Sequence, residues 1–297
     1  MFGHALFAIV QSLSVLYLVT MMLSLGLELG GGPKESKDNK RHKRRALVVG
    51  LVFNLLLLPL VAFAVTRVLH VSNAVSVALL LLAASPGGRY APHLVKLGEG
   101  DVALSVEVTI FLAKITCITA VPMAKWMLTL RTLEIHELPF LLQLILLQLV
   151  PFYFGKWLKK KRPDLAQRLL RPTRVVAIAA VVAIVALVAM QTEKWIEVFD
   201  ARGWLAVACT GVASPLIGWF LGGSNVARRR AFALGAGARE LGLALMMASF
   251  AFPQKDVHAA LLGVATIFAL GSFLLALATR RRALGTRSAP RTSTAHA

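Results

Sequence analysis

Arg89, Glu107, Lys114, Arg239 and Glu240 are ionisable side chains set within long apolar stretches of this sequence. Charge at membrane depth is costly and marks substrate or ion pathways. Two guanidiniums can bind an organic anion, or stand as fixed positive charges where a mobile cation would otherwise sit. Glu107 and Glu240 can balance those charges or carry a coupling proton. The competing reading for each is a structural pair. Glu107 and Lys114 are seven residues apart and share a helical face. About two turns separate them, too far for direct pairing. Ser105 and Thr109 put two hydroxyls on the same helix as oxygen donors, against the competing reading that they bond their own backbone.

The elements that must position these groups are apolar blocks. The chain has 297 residues, 57% of them hydrophobic, above the 45–50% usual in soluble domains. A span needs about 20 mostly apolar residues. About nine blocks qualify: 5–29, 46–69, 74–98, 101–130, 138–158, 174–190, 203–221, 229–252 and 256–280. Backbone groups in lipid must be satisfied internally, so these blocks are expected to be helices. The block 5–29 has no basic segment before it and no clear small-residue cleavage site after it, so it reads as a span, not a cleaved signal.

Two of the nine are interrupted. Pro86-Gly87-Gly88 breaks the third span just before Arg89, and Gly235 and Gly237 precede Arg239-Glu240 in the eighth. Helix N-termini created at such breaks favour an anion. Gly87-Gly88-Arg89 is followed by Asp101-Val102 and Thr109-Ile110-Phe111. Gly235 to Arg239 is followed by Asp256-Val257 and Thr266-Ile267-Phe268. The two segments lie five spans apart, an odd number, so their orientations are opposed. The expected architecture is one all-α transmembrane domain with inverted repeats. Residues 5–130 form the first repeat, 138–158 a connecting helix, 174–280 the second repeat, and 281–297 a flexible cytoplasmic tail. Inverted repeats with broken helices point to a secondary transporter with a midplane site.

Loop charge agrees with the span count. The formal charge is +19. Lys and Arg cluster after the first span (Lys34 to Arg45), the fifth (Lys159 to Arg171), the seventh (Arg228, Arg229, Arg230) and the ninth (Arg280, Arg281, Arg282). The intervening loops carry little beyond Arg131, Lys194, Arg202 and Lys255. Excess Lys and Arg marks cytoplasmic loops, which puts the N-terminus outside and the C-terminus in the cytoplasm, in the cytoplasmic membrane. The same placement makes the lipid bilayer the partner of this charge, not nucleic acid. No paired-histidine zinc motif, Walker loop or nucleophile elbow occurs, so an enzyme is not expected. His93, Cys117 and Cys209 read as packing residues.

Ser85-Pro86-Gly87-Gly88, followed by Gly100-Asp101-Val102-Ala103-Leu104-Ser105-Val106 and Thr109, resembles the signature of the bile acid:sodium symporter family. Asn54 to Pro59 resembles that family's asparagine-to-proline stretch, and Gly242-Leu243-Ala244 the end of its second crossing motif. The resemblance implies a panel and a core domain, with two unwound helices crossing near the substrate and sodium sites. Departures fall on the sodium ligands. The family's Ser-Asn after Pro-Gly-Gly corresponds to Ala91 and Pro92. Its glutamate and Gln-Asn pair correspond to Gly235, Arg239 and Glu240, and the glutamine before the second-span proline is Leu58. Ser105 and Thr109 match. An arginine donates hydrogen bonds and cannot ligate a cation.

The expected function is therefore alternating-access transport of a small organic anion, sodium-independent or proton-linked, with Arg89 and Arg239 in the vacated cation sites and Glu240 and Glu107 as counter-charges. No cofactor is expected. One alternative keeps sodium coupling on a rearranged set, Ser105, Thr109 and Glu240. The other is a transporter-shaped sensor or scaffold, closed by salt bridges among the same charges.

Overall fold

The computed structural model describes residues 2–28, 40–129, 137–191, 198–252 and 255–288. Among these residues all regular structure is helical, with one isolated antiparallel bridge. The helices are α1 (Phe2–Glu28), α2 (Lys40–Val52), α3 (Leu58–Val68), α4 (Asn73–Ala83), α5 (Ala91–Leu97), α6 (Val102–Thr129), α7 (Glu137–Lys161), α8 (Pro163–Gln191), α9 (Ala201–Leu221), α10 (Val226–Ala236), α11 (Leu241–Ala251) and α12 (Lys255–Ser288).

Among the described residues four stretches are long and apolar enough to cross a bilayer: Ala8–Glu28, Arg44–Val68, Ala201–Leu221 and Asp256–Arg281. A fifth is formed if Val102–Thr116 and Ile118–Leu128, bent by 60°, act as one span. Their outer faces expose large apolar side chains, among them Leu16, Val212, Leu216, Phe220, Leu270 and Leu274. Such faces suit lipid contact. The protein is an all-helical, multi-pass membrane protein.

The second span is not a plain helix. A π-helical turn, Phe53–Leu57, joins α2 to α3. Pro59 follows as the second residue of α3 and has no N–H to continue the ladder. Extra backbone in the turn before it absorbs that defect.

Two packing groups stand out. α1 packs mainly on α7 and α8. Gly26 and Gly155 bring α1 and α7 backbone to backbone, since a Cβ on Gly155 would lie 2.6 Å from the Leu23 carbonyl oxygen. Elsewhere α4 packs on α12, α9 on α10, and α5 on α6 and α10. α4 is apolar on every side, and Val75 through Ala83 are all buried, as expected for a helix at the centre of a bundle.

Several boundaries differ from the sequence reading. α8 starts at Pro163, eleven residues before the apolar block at 174, so Arg168 and Arg171 lie on a helix and not in a loop. Lys159, Lys160 and Lys161 form the last turn of α7. An apolar window finds only the lipid-facing length and misses the amphipathic turns outside it. α12 runs to Ser288, so residues 281–288 are helical, and the remainder of the expected tail lies outside the described residues. Lys34, Lys37, Arg131 and Lys194 also lie outside them, as does the Cys117 side chain.

The crossing of two interrupted helices

Both expected breaks are present. Residues 84–90 separate α4 from α5, and residues 237–240 separate α10 from α11. Gly235 sits in the last turn of α10, so the second break opens at Gly237. The breaks pair with each other. Gly88 N donates to the Ala238 carbonyl at 3.0 Å, and Glu240 N donates to the Ser85 carbonyl at 2.8 Å. Pro86 and Arg239 form the antiparallel bridge between these bonds. Open backbone within a membrane is tolerated only where protein satisfies it. Here each break supplies donors and acceptors to the other.

The glycines are steric requirements. Gly87 has φ +95°, a region that favours glycine. A Cβ on Gly88 would lie 2.6 Å from the Arg239 carbonyl oxygen. Tyr90 adds a tie that the sequence reading did not single out. Its hydroxyl donates to the Gly237 carbonyl at 3.1 Å and accepts from Arg239 N at 3.3 Å.

The two arginines leave the crossing with different partners. Arg89 turns toward α1. Its Nη1 donates to Ser24 Oγ at 2.9 Å, and its Nη2 lies 4.0 Å from Met22 Sδ. Its Nε is buried without a partner. Glu240 also meets α1, accepting a hydrogen bond from the Tyr17 hydroxyl at 3.0 Å. Arg89, Tyr17 and Glu240 interact electrostatically, although Arg89's hydrogen-bond partners are neutral groups. Glu240 is 4% exposed and caps the start of α11, where the helix dipole favours a carboxylate. Arg239, also 4% exposed, points elsewhere: its Nη1 reaches the Ala83 carbonyl at the end of α4, at 3.4 Å. It borders a cavity of about 140 Å³ shared with Tyr90, Thr266 and Phe268.

Ser105 and Thr109 are both buried and line a smaller cavity of about 20 Å³ beneath the first break. Asn54, from the π-helical turn, faces the same cavity. Its Nδ2 donates to the Gly50 carbonyl at 2.9 Å, while its Oδ1 is buried with no partner. Ala91 and Gly235 complete the wall without side-chain oxygens. Glu107 is half-buried on α6 and is not part of that wall. Lys114 sits 5.3 Å from the Phe111 ring centre and 5.9 Å from that of Phe152, a cation–π setting toward α7. Glu107 and Lys114 thus share a helix but not the crossing. His93 and Cys209 are exposed and do not pack inside. Among the described residues no group of three or more His, Cys, Asp or Glu is placed to hold a metal ion.

Comparison with known proteins accords with this geometry. The family model described as "Sodium Bile acid symporter family" matches residues 15–197. The rat hepatic sodium/bile acid cotransporter is 30% identical over 182 residues, covering 57% of this chain and 48% of that protein. A rice protein named "Probable sodium/metabolite cotransporter BASS2, chloroplastic" is 25% identical over 271 residues, covering 89% and 63%. The human hepatic sodium/bile acid cotransporter is 28% identical over 265 residues, covering 83% and 73%. This chain therefore spans about half of the rat relative and under two thirds of the rice one. With a family match over more than half the chain, this chain belongs to the sodium bile acid symporter family.

Proposed function

We propose that this protein is a sodium-independent secondary transporter of a small organic anion, working by alternating access. Arg89 anchors the anion and Glu240 carries a coupling proton. The observation that carries this reading is the state of Arg89. Its guanidinium lies at the seam between α1 and the first break, held by a hydroxyl and a thioether, with Nε buried and unpartnered. Nε and Nη2 form the side-on edge of the guanidinium, the edge that binds a carboxylate with two parallel hydrogen bonds. A scaffold closed by salt bridges would put a carboxylate there.

The alternating-access architecture has two supports. Counting α2–α3, α4–α5 and α10–α11 as one segment each reduces the twelve helices among the described residues to nine segments, which supports the expectation of nine spans. The antiparallel pairing at Pro86 and Arg239 accords with broken helices of opposed direction, one per inverted repeat. α1, α7 and α8 suit a panel that moves against the remaining helices, and Arg89 and Glu240 both reach across that seam to α1. The loop charges favour the cytoplasmic membrane with the N-terminus outside.

Sodium fits poorly. The cavity bearing Ser105, Thr109 and Asn54 offers only three side-chain oxygens, all of them neutral. No carboxylate borders it to offset a buried cation. Glu240 is bonded to Tyr17 instead. At the position of a family glutamine, Arg239 brings its own positive charge to the end of α4. The reading is tested by a thermal-shift screen of organic acids on purified protein, with sodium and pH varied. A ligand whose stabilisation is lost in Arg89→Ala and is indifferent to sodium supports it. A ligand that binds Arg89→Ala equally well contradicts it.

A further inference from the structure

We propose that Arg239 and the cavity beside it form a second anion site, separate from Arg89, that takes a short-chain monocarboxylate. The cavity holds about 140 Å³, lies against the second break and is bordered by Arg239, Tyr90 and Thr266 together with Leu82, Leu241 and Phe268. Arg239 is nine-tenths buried, and among the described residues its guanidinium makes one hydrogen bond, the 3.4 Å contact to the Ala83 carbonyl. A guanidinium carries five N–H donors, so most of its donor capacity is left for a ligand. An unpaired cation in so little water is strongly unfavourable, and an anion in the adjoining space relieves it.

The lining selects the class of anion. Arg239 supplies the positive charge, and Thr266, exposed on α12, a hydroxyl. The other lining side chains include the apolar Leu82, Leu241, Phe268 and Ala269. A carboxylate matches the planar fork of arginine, and a tail of one to three carbons matches apolar walls. The volume is close to that of cavities that hold a benzene-sized molecule, about 150 Å³. A dicarboxylate would place its second charge against those walls. Arg89 reaches toward Ser24 and Met22 on α1 and takes no part in this cavity. The site therefore does not depend on the transport reading.

Full-length protein in detergent is titrated with acetate, propionate, butyrate, chloride and succinate at constant ionic strength, with gluconate as the balancing anion, and its unfolding midpoint is followed. Propionate or acetate is expected to raise the midpoint saturably, by about 5 °C at hundred-fold excess over Kd. Arg239→Gln removes the rise. Ala269→Leu, which fills the cavity and keeps the guanidinium, removes it as well, so the test survives if the first variant does not fold. No rise in the unaltered protein, an equal rise in Arg239→Gln or Ala269→Leu, or chloride matching propionate would overturn the assignment.

Discussion

Replacing Arg89 by alanine isolates the charge on which the transport reading rests. Among the described residues the guanidinium donates from Nη1 to Ser24 Oγ at 2.9 Å and, weakly, from Nη2 to Met22 Sδ at 4.0 Å. The Nε–Nη2 edge thus meets nothing stronger than a thioether, which a carboxylate accepting two charge-assisted hydrogen bonds would displace. Each is worth about 1.5–3 kcal/mol. Taking the lower value for both gives about 3 kcal/mol, or about a hundred-fold weaker binding. The fold should tolerate the change, because Arg89→Ala frees one serine hydroxyl, and Glu240, which loses a charge partner, keeps its Tyr17 hydrogen bond. Uptake by proteoliposomes across a range of concentrations of the best anion then shows KM raised about a hundred-fold in Arg89→Ala. Arg89→Lys keeps the charge and loses the fork, so it falls between. An unchanged KM in well-folded Arg89→Ala, whatever happens to Vmax, refutes the reasoning.

Other outcomes follow from the same contacts. Tyr17→Phe deletes the 3.0 Å bond to Glu240, a carboxylate 4% exposed, and should cost about 1–3 kcal/mol, read as a midpoint about 3 °C or more lower. Gly88→Ala forces a Cβ to within 2.6 Å of the Arg239 carbonyl and should abolish folded yield by size-exclusion chromatography. Gly223→Ala, with φ +67° but nothing within 4 Å, should lose only about 1 kcal/mol in thermal unfolding. Glu240→Gln should remove any stimulation of uptake by an inward proton gradient while leaving anion binding in place; retained stimulation assigns the proton elsewhere.

The parts legible in the sequence were those written into consecutive residues. Pro86-Gly87-Gly88 marks its break because a proline followed at once by two glycines combines a missing donor with the poorest helix formers in the middle of a span. Arg239-Glu240 marks the other because no lipid-facing helix carries that pair. Ser105 and Thr109, four apart on α6, do line one small cavity together. What escaped were partners remote in the chain. Tyr17 meets Glu240 across 223 residues, and Arg89 meets Ser24 across 65. Tyr17 and Ser24 are seven apart on α1, so they share a face, and that spacing was the available signal. Apolar periodicity states how long a span is, not which face meets which neighbour. That is also why Arg89 and Arg239, similar in sequence setting, could not be told apart before their different surroundings were known. The early start of α8 escaped for a related reason: its first turns carry Arg168 and Arg171, which an apolar count discards.

The most direct test of sodium-independent anion transport is uptake of the identified anion into proteoliposomes, with an inward gradient of sodium or of an impermeant organic cation. Equal initial rates under the two gradients are the result this account predicts. Strong stimulation by sodium alone would contradict it, and would point to the cavity bearing Asn54, Ser105 and Thr109 as the place of the coupling ion.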